Sequence, residues 1–273
     1  MQDNSALGRS LAMVRDLRAR CPWDRVQTRQ TLRPYLVEEA LELDDALGSD
    51  DAGAIRAELS DLLLHLAFQL VIGEEEGEFS PADIADGLEA KMRRRHPHLF
   101  DLGAAEPWER LKRRERHGRT LAGIVATLPP LLKACRLQER AAAVGFDWPN
   151  VEGPLAKVRE ELAEVEAELG DAAAPHAALE LEIGDLLFAV VNLSRKAGVE
   201  PSLALDAANR KFTHRFEAVE QLAEKRGIEV ESAGLEVLDG LWGEVKEETE
   251  RTESPVRPTD TTGGSASERR SPP

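Results

Sequence analysis

Two sets of carboxylates in this sequence are spaced for cation chemistry. Glu161 and Glu164 lie in VREELAEVEAEL, and Glu182 and Asp185 follow in LEIGDLLFAVVN. Upstream, Glu39, Glu42, Glu58 and Asp61 repeat the pattern in LRPYLVEEALELDDAL and AELSDLLLHLAF. At about 100° per helical residue, Asp185 projects roughly 60° from Glu182, and Leu186, Ala189 and Leu193 fall within about 40° of Glu182. Both acids therefore interrupt a stripe that should face a bundle core, whereas Glu180 projects to the opposite side. On the preceding helix Glu161, Glu164 and Glu168 stack at i, i+3 and i+7, with Lys157 one turn earlier and Val158, Leu162, Val165 and Leu169 forming the adjoining arc. In the first copy Glu39 and Glu42 sit beside Leu36, Leu43 and Leu47, and Leu62, His65 and Leu66 surround Glu58 and Asp61.

Carboxylates converging at the edge of an apolar core cannot all stay ionised uncompensated, because desolvation and mutual repulsion both raise their pKa values. A hard divalent cation removes the conflict, and magnesium also keeps positions open for water and phosphate oxygens. Any one of these glutamates alone would read as part of a solvated helix face. The same spacing in two copies, on the apolar stripe both times, favours a metal. Di-iron bundles use Glu-x-x-His on two helices, and no Glu here precedes a His at that spacing. Oxygen-only ligation points to magnesium, or manganese in its place.

A phosphate-handling site in an acidic chain also needs cationic side chains. NRKFTHRFEAVE (209–220) puts Lys211 and Arg215 at i, i+4, with Asn209 and His214 nearby and Phe212, Phe216 and Val219 on the core side. EAKMRRRHPHLF (89–100) offers Lys91 and Arg95 in the same positions. Each such residue alone reads equally well as a surface cation paired with neighbouring acids. Trp242 alone reads as an anchor for the last helix, and Trp23 and Trp148 as packing residues. There is no G-x-x-x-x-G-K-[ST] phosphate loop, G-x-G-x-x-G fingerprint, H-E-x-x-H zinc motif or G-x-S-x-G elbow.

The elements that must position these groups read as helices throughout. Periodicity predicts them near 5–20, 31–47, 54–77, 80–95, 106–118, 129–143, 152–169, 175–197, 202–226 and 233–250, with no strand pattern. Ser80-Pro81, Glu152-Gly153-Pro154 and Pro201-Ser202 suit helix starts, and Gly48, Gly145, Gly170 and Gly227 suit helix ends. The acidic segments recur with near-constant spacing. Glu39 to Glu161 is 122 residues, and Glu58 to Glu182 and Asp61 to Asp185 are each 124. The expected organisation is an all-α chain with a first helical domain at 1–118, a linker at 119–128, a second domain at 129–250 and a disordered Ser/Pro/Gly-rich tail at 251–273.

Composition limits the partners. With 51 acidic and 35 basic residues the formal net charge is -16, which repels nucleic-acid backbones and excludes bulk DNA or RNA as the expected partner. The most apolar stretch, residues 62–72, contains His65 and Gln69 and is too short to span a bilayer. The start lacks the apolar run of a signal peptide, and Cys21 and Cys135 lie far apart. Together these suggest a reduced cytoplasmic protein.

The combined motifs CPWDRVQT, LRPYLVEEALEL, ELSDLLLHLAF and RRRHPHLF, then VGFDWP, VREELAEVEAEL, LEIGDLLFAVVNLSR and NRKFTHRFEAVE, resemble the tandem-domain MazG family of the all-α nucleoside triphosphate pyrophosphohydrolases, from about residue 7 to 250. The resemblance implies helical bundles that pair as homodimers and hydrolyse NTPs or dNTPs between the α- and β-phosphates, giving a monophosphate and pyrophosphate. It implies magnesium ligands at Glu161, Glu164, Glu182 and Asp185, and nucleotide contacts at Lys157, Glu160, Lys211, Arg215 and Trp242. Glu160 is then the candidate to orient or deprotonate the attacking water. In tandem members the second repeat is the one usually credited with catalysis. Here Lys157 and Asn192 stand where the first repeat has Tyr35 and Phe68, although Glu39, Glu42, Glu58 and Asp61 keep a second metal site in place. The alternative left open is a non-catalytic nucleotide sensor or scaffold that keeps its acids for metal-stabilised folding.

Overall fold

The computed structural model describes residues 5–49, 51–106, 111, 114, 119–171 and 175–253. Among these the regular structure is helical, with no strand. The chain divides into two compact units, residues 1–115 and 116–273. The helix expected at 106–118 lies largely outside the described residues, as does the expected tail from residue 254 onward.

Unit 1 is built from α1 (Ala6–Arg20), a short α2 (Pro22–Arg25), α3 (Arg29–Ser49), α4 (Ala52–Glu75), α5 (Pro81–Arg95) and a 3-10 turn at Pro97–Leu99. Its starts are chemically marked. Ser5 caps α1 by accepting from the Gly8 amide, and Asp51 caps α4 by accepting from Gly53 and Ala54. Ser80 and Asp83 form a reciprocal capping box on α5 with Pro81 in its first position. The two short turns escape the periodicity because three or four residues are too few to show it. α3 begins before the expected residue 31, and Pro34 sits inside it.

α1 and α3 pack on α4 around Val14, Leu32, Ala67, Phe68, Val71 and Ile72, all at most 2% exposed, with Leu11 and Leu64 against them. Burial of Val14, Leu32, Phe68, Val71 and Ile72 contributes about 1.5–3 kcal/mol each. Gly73 lets the Phe79 ring lie directly on α4, since a Cβ there would stand 2.3 Å from the ring. Arg29 stacks on the same ring at 5.1 Å and pairs with Glu76 and Glu78.

Unit 2 repeats the order with α6 (Pro130–Ala142), α7 (Glu152–Gly170), α8 (His176–Lys196) and α9 (Pro201–Arg226), then adds α10 (Val230–Ala233) and α11 (Leu235–Glu253). Gly227 closes α9 in the left-handed conformation at φ 67°. Its buried cluster lies elsewhere, between α9 and α11, where Val219, Ala223, Leu241 and Val245 are covered by Leu222, Leu238 and Trp242. Residues 119–128, expected to link the domains, run in turns tied to α6. Arg140 donates to the Ala122 carbonyl at 2.5 Å and Lys133 to that of Ala126 at 3.5 Å. No helix among the described residues is long and apolar enough to cross a membrane.

Candidate functional site

The helical pair α7–α8 presents Glu161, Glu182 and Asp185 with one carboxylate oxygen of each within 4.8 Å of the others. The pair α3–α4 does the same with Glu39, Glu42 and Glu58. The i, i+3 and i, i+4 spacings are local consequences of helix geometry, and the hairpin packing of each pair brings the two acidic faces together. Octahedral magnesium at about 2.1 Å from each ligand needs oxygens roughly 3–4.2 Å apart, so small rotamer adjustments suffice. The donor set is oxygen only, which fits a hard divalent cation.

The expected fourth ligands stand slightly apart. Glu164 is outside the tight group of unit 2 but hydrogen-bonded to Glu161 and within electrostatic reach of Glu182. Its pKa is raised, first by that shared hydrogen bond with Glu161, then by desolvation and the neighbouring charges. Glu161, only 4% exposed, is held below the ordinary carboxylate range mainly by Lys157. Lys157 bridges Glu161 and Glu160, the latter at 2.8 Å, and its pKa is raised by both. Asp61 is likewise outside the tight group of unit 1. Glu42 there is pushed up by desolvation and then by Glu39, Glu58, Glu38 and Asp61.

Only part of the apolar arc beside the acids is covered. Val165 is buried and Val158 and Leu186 are half-buried, but Leu162, Leu169 and Leu47 are exposed. The units also differ in which side chains stand beside their acids. In unit 1 Tyr35 takes the place of Lys157 and stacks on His65, with ring centroids 6.1 Å apart, and His65 Nε2 faces Glu39 at 3.6 Å.

Beyond Asp185 on α8, unit 2 opens into a cavity of about 650 Å³, where Phe146, Trp148, Phe188, Asn192, Gln138 and Arg195 are on the wall. Asn192 accepts from Arg195 at 2.7 Å, and Arg195 and Lys196 both grip Asp147. Asp147 is thereby held down to about 2, first by its hydrogen bond from Arg195. Gln138 donates to the Phe188 carbonyl at 2.8 Å. Trp148, expected to serve packing, does so against Gly153, whose missing Cβ would lie 2.3 Å from the indole, yet it is 44% exposed and also faces the cavity.

Of the residues expected from sequence, the structure gathers Lys157, Glu160, Glu161, Glu164, Glu182 and Asp185, with Asn192 two turns beyond Asp185 on α8. Lys211 and Arg215 are on α9, and no hydrogen bond or ion pair among the described residues joins them to the acids; the Arg215 Nε is buried without a partner. Trp242 packs in the α9–α11 cluster, 5.3 Å from the Phe212 ring. Gln138, Asp147, Phe188 and Arg195 were missed as site residues. For three of them the duplication held a signal, because 124 residues earlier stand Val14 for Gln138, Leu64 for Phe188 and Val71 for Arg195.

The fold and site define an all-α protein with two clusters of carboxylates suited to a divalent cation, one of them on the helix α8 that also lines a cavity of about 650 Å³. The MazG nucleotide pyrophosphohydrolase domain description matches residues 27–100. The chain is 41% identical over 244 residues to the nucleoside triphosphate pyrophosphohydrolase of Escherichia coli strain K12, covering 85% of this chain and 93% of that one. It is also 41% identical over 233 residues to the nucleoside triphosphate pyrophosphohydrolase/pyrophosphatase MazG of Thermotoga maritima, covering 83% and 89%. A Bacillus subtilis protein, YabN, is 40% identical over 252 residues, which span 88% of this chain and 51% of that one. The chain belongs to the MazG family of nucleotide pyrophosphohydrolases.

Proposed function

We propose that unit 2 hydrolyses nucleoside triphosphates, ribo or deoxy, between the α- and β-phosphates, releasing a nucleoside monophosphate and pyrophosphate. The observation that carries this reading is the adjacency of acidic cleft and cavity. Phe188 and Asn192 lie one and two turns beyond Asp185 on nearly the same face of α8. A polyphosphate in the cleft leaves its nucleoside beside Phe146, Trp148 and Phe188, whose rings offer stacking surface. The cavity's volume is within the usual range for small-ligand sites.

Glu161, Glu164, Glu182 and Asp185 are the residues that would hold magnesium, or manganese in its place. A bound divalent cation supplies charge neutralisation on the phosphates and lowers the pKa of a coordinated water. Lys157 holds Glu160 and Glu161 and exchanges a carboxylate for phosphate oxygens when substrate enters. Glu160, exposed and anchored at 2.8 Å by Lys157, orients the attacking water. Lys211, Arg215 and Trp242 complete the site as nucleotide contacts within a homodimer. The exposed Leu162, Leu169, Leu181 and Leu187 are the apolar surface that such a partner covers. The cellular role in this reading is removal of unwanted nucleotides from a cytoplasmic pool.

The test is chemical. Incubated with mixed NTPs and magnesium, the full chain releases pyrophosphate. Orthophosphate as the product would assign cleavage at the γ-phosphate, and neither product would favour a nucleotide sensor or scaffold.

A further inference from the structure

Unit 2 buries an amide where unit 1 buries a valine. Gln138 on α6 stands 124 residues beyond Val14 and is only 6% exposed. Its orientation is fixed, because its Nε2 donates to the Phe188 carbonyl at 2.8 Å. The amide oxygen is therefore the free end, and it is buried without a hydrogen-bond partner. A buried acceptor left unpaired is destabilising, whereas an apolar side chain of similar shape is not. Val14 shows the apolar solution, 1% exposed within the core cluster of unit 1.

Gln138 lies on the wall of the cavity of about 650 Å³. Arg195 is on the same wall, and its Nε is likewise buried without a partner, although its terminal nitrogens hold Asn192 and Asp147. The wall thus leaves one acceptor and one donor unpaired. Around them the aromatic side chains of Phe146, Trp148 and Phe188 line the same space. Rings with a few fixed polar groups suit a flat ligand with a polar rim. An ionised phosphate chain offers acceptors only, so it could pair with Arg195 but not with the Gln138 oxygen. A nucleobase carries donors and acceptors on one edge.

We propose that Gln138 reads the nucleobase of the substrate, its amide oxygen accepting from a base N–H, so that the nucleotide sits base-first in the cavity. This contact presupposes the hydrolysis by unit 2 proposed above and adds the edge by which the base is held. Each common base carries such an N–H, so the contact admits all of them. It rejects a base that has no donor, because the Gln138 oxygen then stays unpaired in the complex.

Isothermal titration of the full chain, with magnesium and a non-hydrolysable α,β-substituted dATP, measures the contact. The matching purine nucleotide, with hydrogen in place of the amino group, lacks the only base N–H of adenine and adds no bulk. It is expected to bind at least tenfold more weakly. In Gln138→Leu the ratio between the two nucleotides should fall below about twofold. Equal affinity of the parent chain for both, or a preference that survives Gln138→Leu, would overturn the proposal. So would weakening by removal of the sugar 3′-hydroxyl and not of the amino group, which would assign the donor to the sugar. Should Gln138→Leu not fold, the ratio measured on the parent chain decides. Pyrophosphate release by a chain that binds both nucleotides equally would leave the proposed reaction standing and remove only the base contact.

Discussion

The two units use one helical order to opposite ends. Unit 1 fills the space between its first helix and α4 with Val14, Phe68, Val71 and Ile72. At the matching places unit 2 has Gln138, Asn192, Arg195 and Lys196, and the space between α6 and α8 is hollow. The substitutions change more than volume. Arg195 and Lys196 converge on Asp147, so the wall of the hollow is held by ion pairs and hydrogen bonds where unit 1 uses apolar packing. Unit 2 rebuilds a core elsewhere, around Val219, Ala223, Leu241 and Val245. A duplicated bundle can thus give up a core for a pocket when a second cluster supplies the burial. Both units retain three carboxylates within cation-binding distance, so the difference between them is in the neighbouring cavity and in the side chain beside the acids, Lys157 in one and His65 in the other.

The largest effect should separate the acids of the two units. Glu161→Gln is expected to lower pyrophosphate release by about a hundredfold or more, as loss of a charged group in a preorganised site commonly does. The matched Glu39→Gln should change it less than about twofold. Equal losses would erase the functional distinction drawn between the units.

A second pair exchanges the residues of the hollow and the core. Phe68→Asn removes a ring that is 2% exposed and should cost about 3–5 kcal/mol of unit 1 stability in a urea titration. Asn192→Phe puts the bulk back into unit 2 and should raise KM for the nucleotide by about tenfold, or roughly 1.4 kcal/mol, with helicity preserved. An unchanged KM would detach the cavity from the substrate.

The clustering of the carboxylates was legible in the sequence because its geometry is local. Spacings of three, four and seven residues fix which side chains share a helix face, and the hairpins α3–α4 and α7–α8 bring the two faces of each set together. The cavity was not legible in that way. It depends on how α6 packs on α8 and on a loop carrying Phe146 and Trp148, neither of which periodicity encodes. Lys211, Arg215 and Trp242 show the same limit from the other side. Resemblance links them to the acids in function, but in the fold of one chain they belong to α9 and α11. Helix ends marked by side-chain chemistry, such as Ser80 with Pro81 and Gly227, were readable, whereas the four-residue turns of α2 and α10 were too short to show a period.

Smaller effects sharpen the account of how the hollow is kept open. Gly153→Ala forces a Cβ to within 2.3 Å of the Trp148 indole. It should cost about 1–3 kcal/mol through overpacking, with a shift in tryptophan emission as the ring moves. The ion pairs on Asp147 make a weaker, pH-dependent contribution. Its carboxyl is held down to about 2, while an unfolded aspartate titrates near 3.9. That stabilisation is therefore complete above about pH 4 and is lost as the pH falls towards 2. After solvent screening it is worth about 1 kcal/mol. Asp147→Asn should show that loss in urea melts at pH 7, and the difference from the parent should shrink at pH 3.

The most direct test counts nucleotides. Isothermal titration of the full chain with a non-hydrolysable α,β-substituted dNTP and magnesium should give one site per chain in which binding survives Asp61→Ala and is lost with Asp185→Ala. Two equivalent sites per chain, or a single site abolished by Asp61→Ala, would contradict the assignment of the nucleotide to the hollow unit.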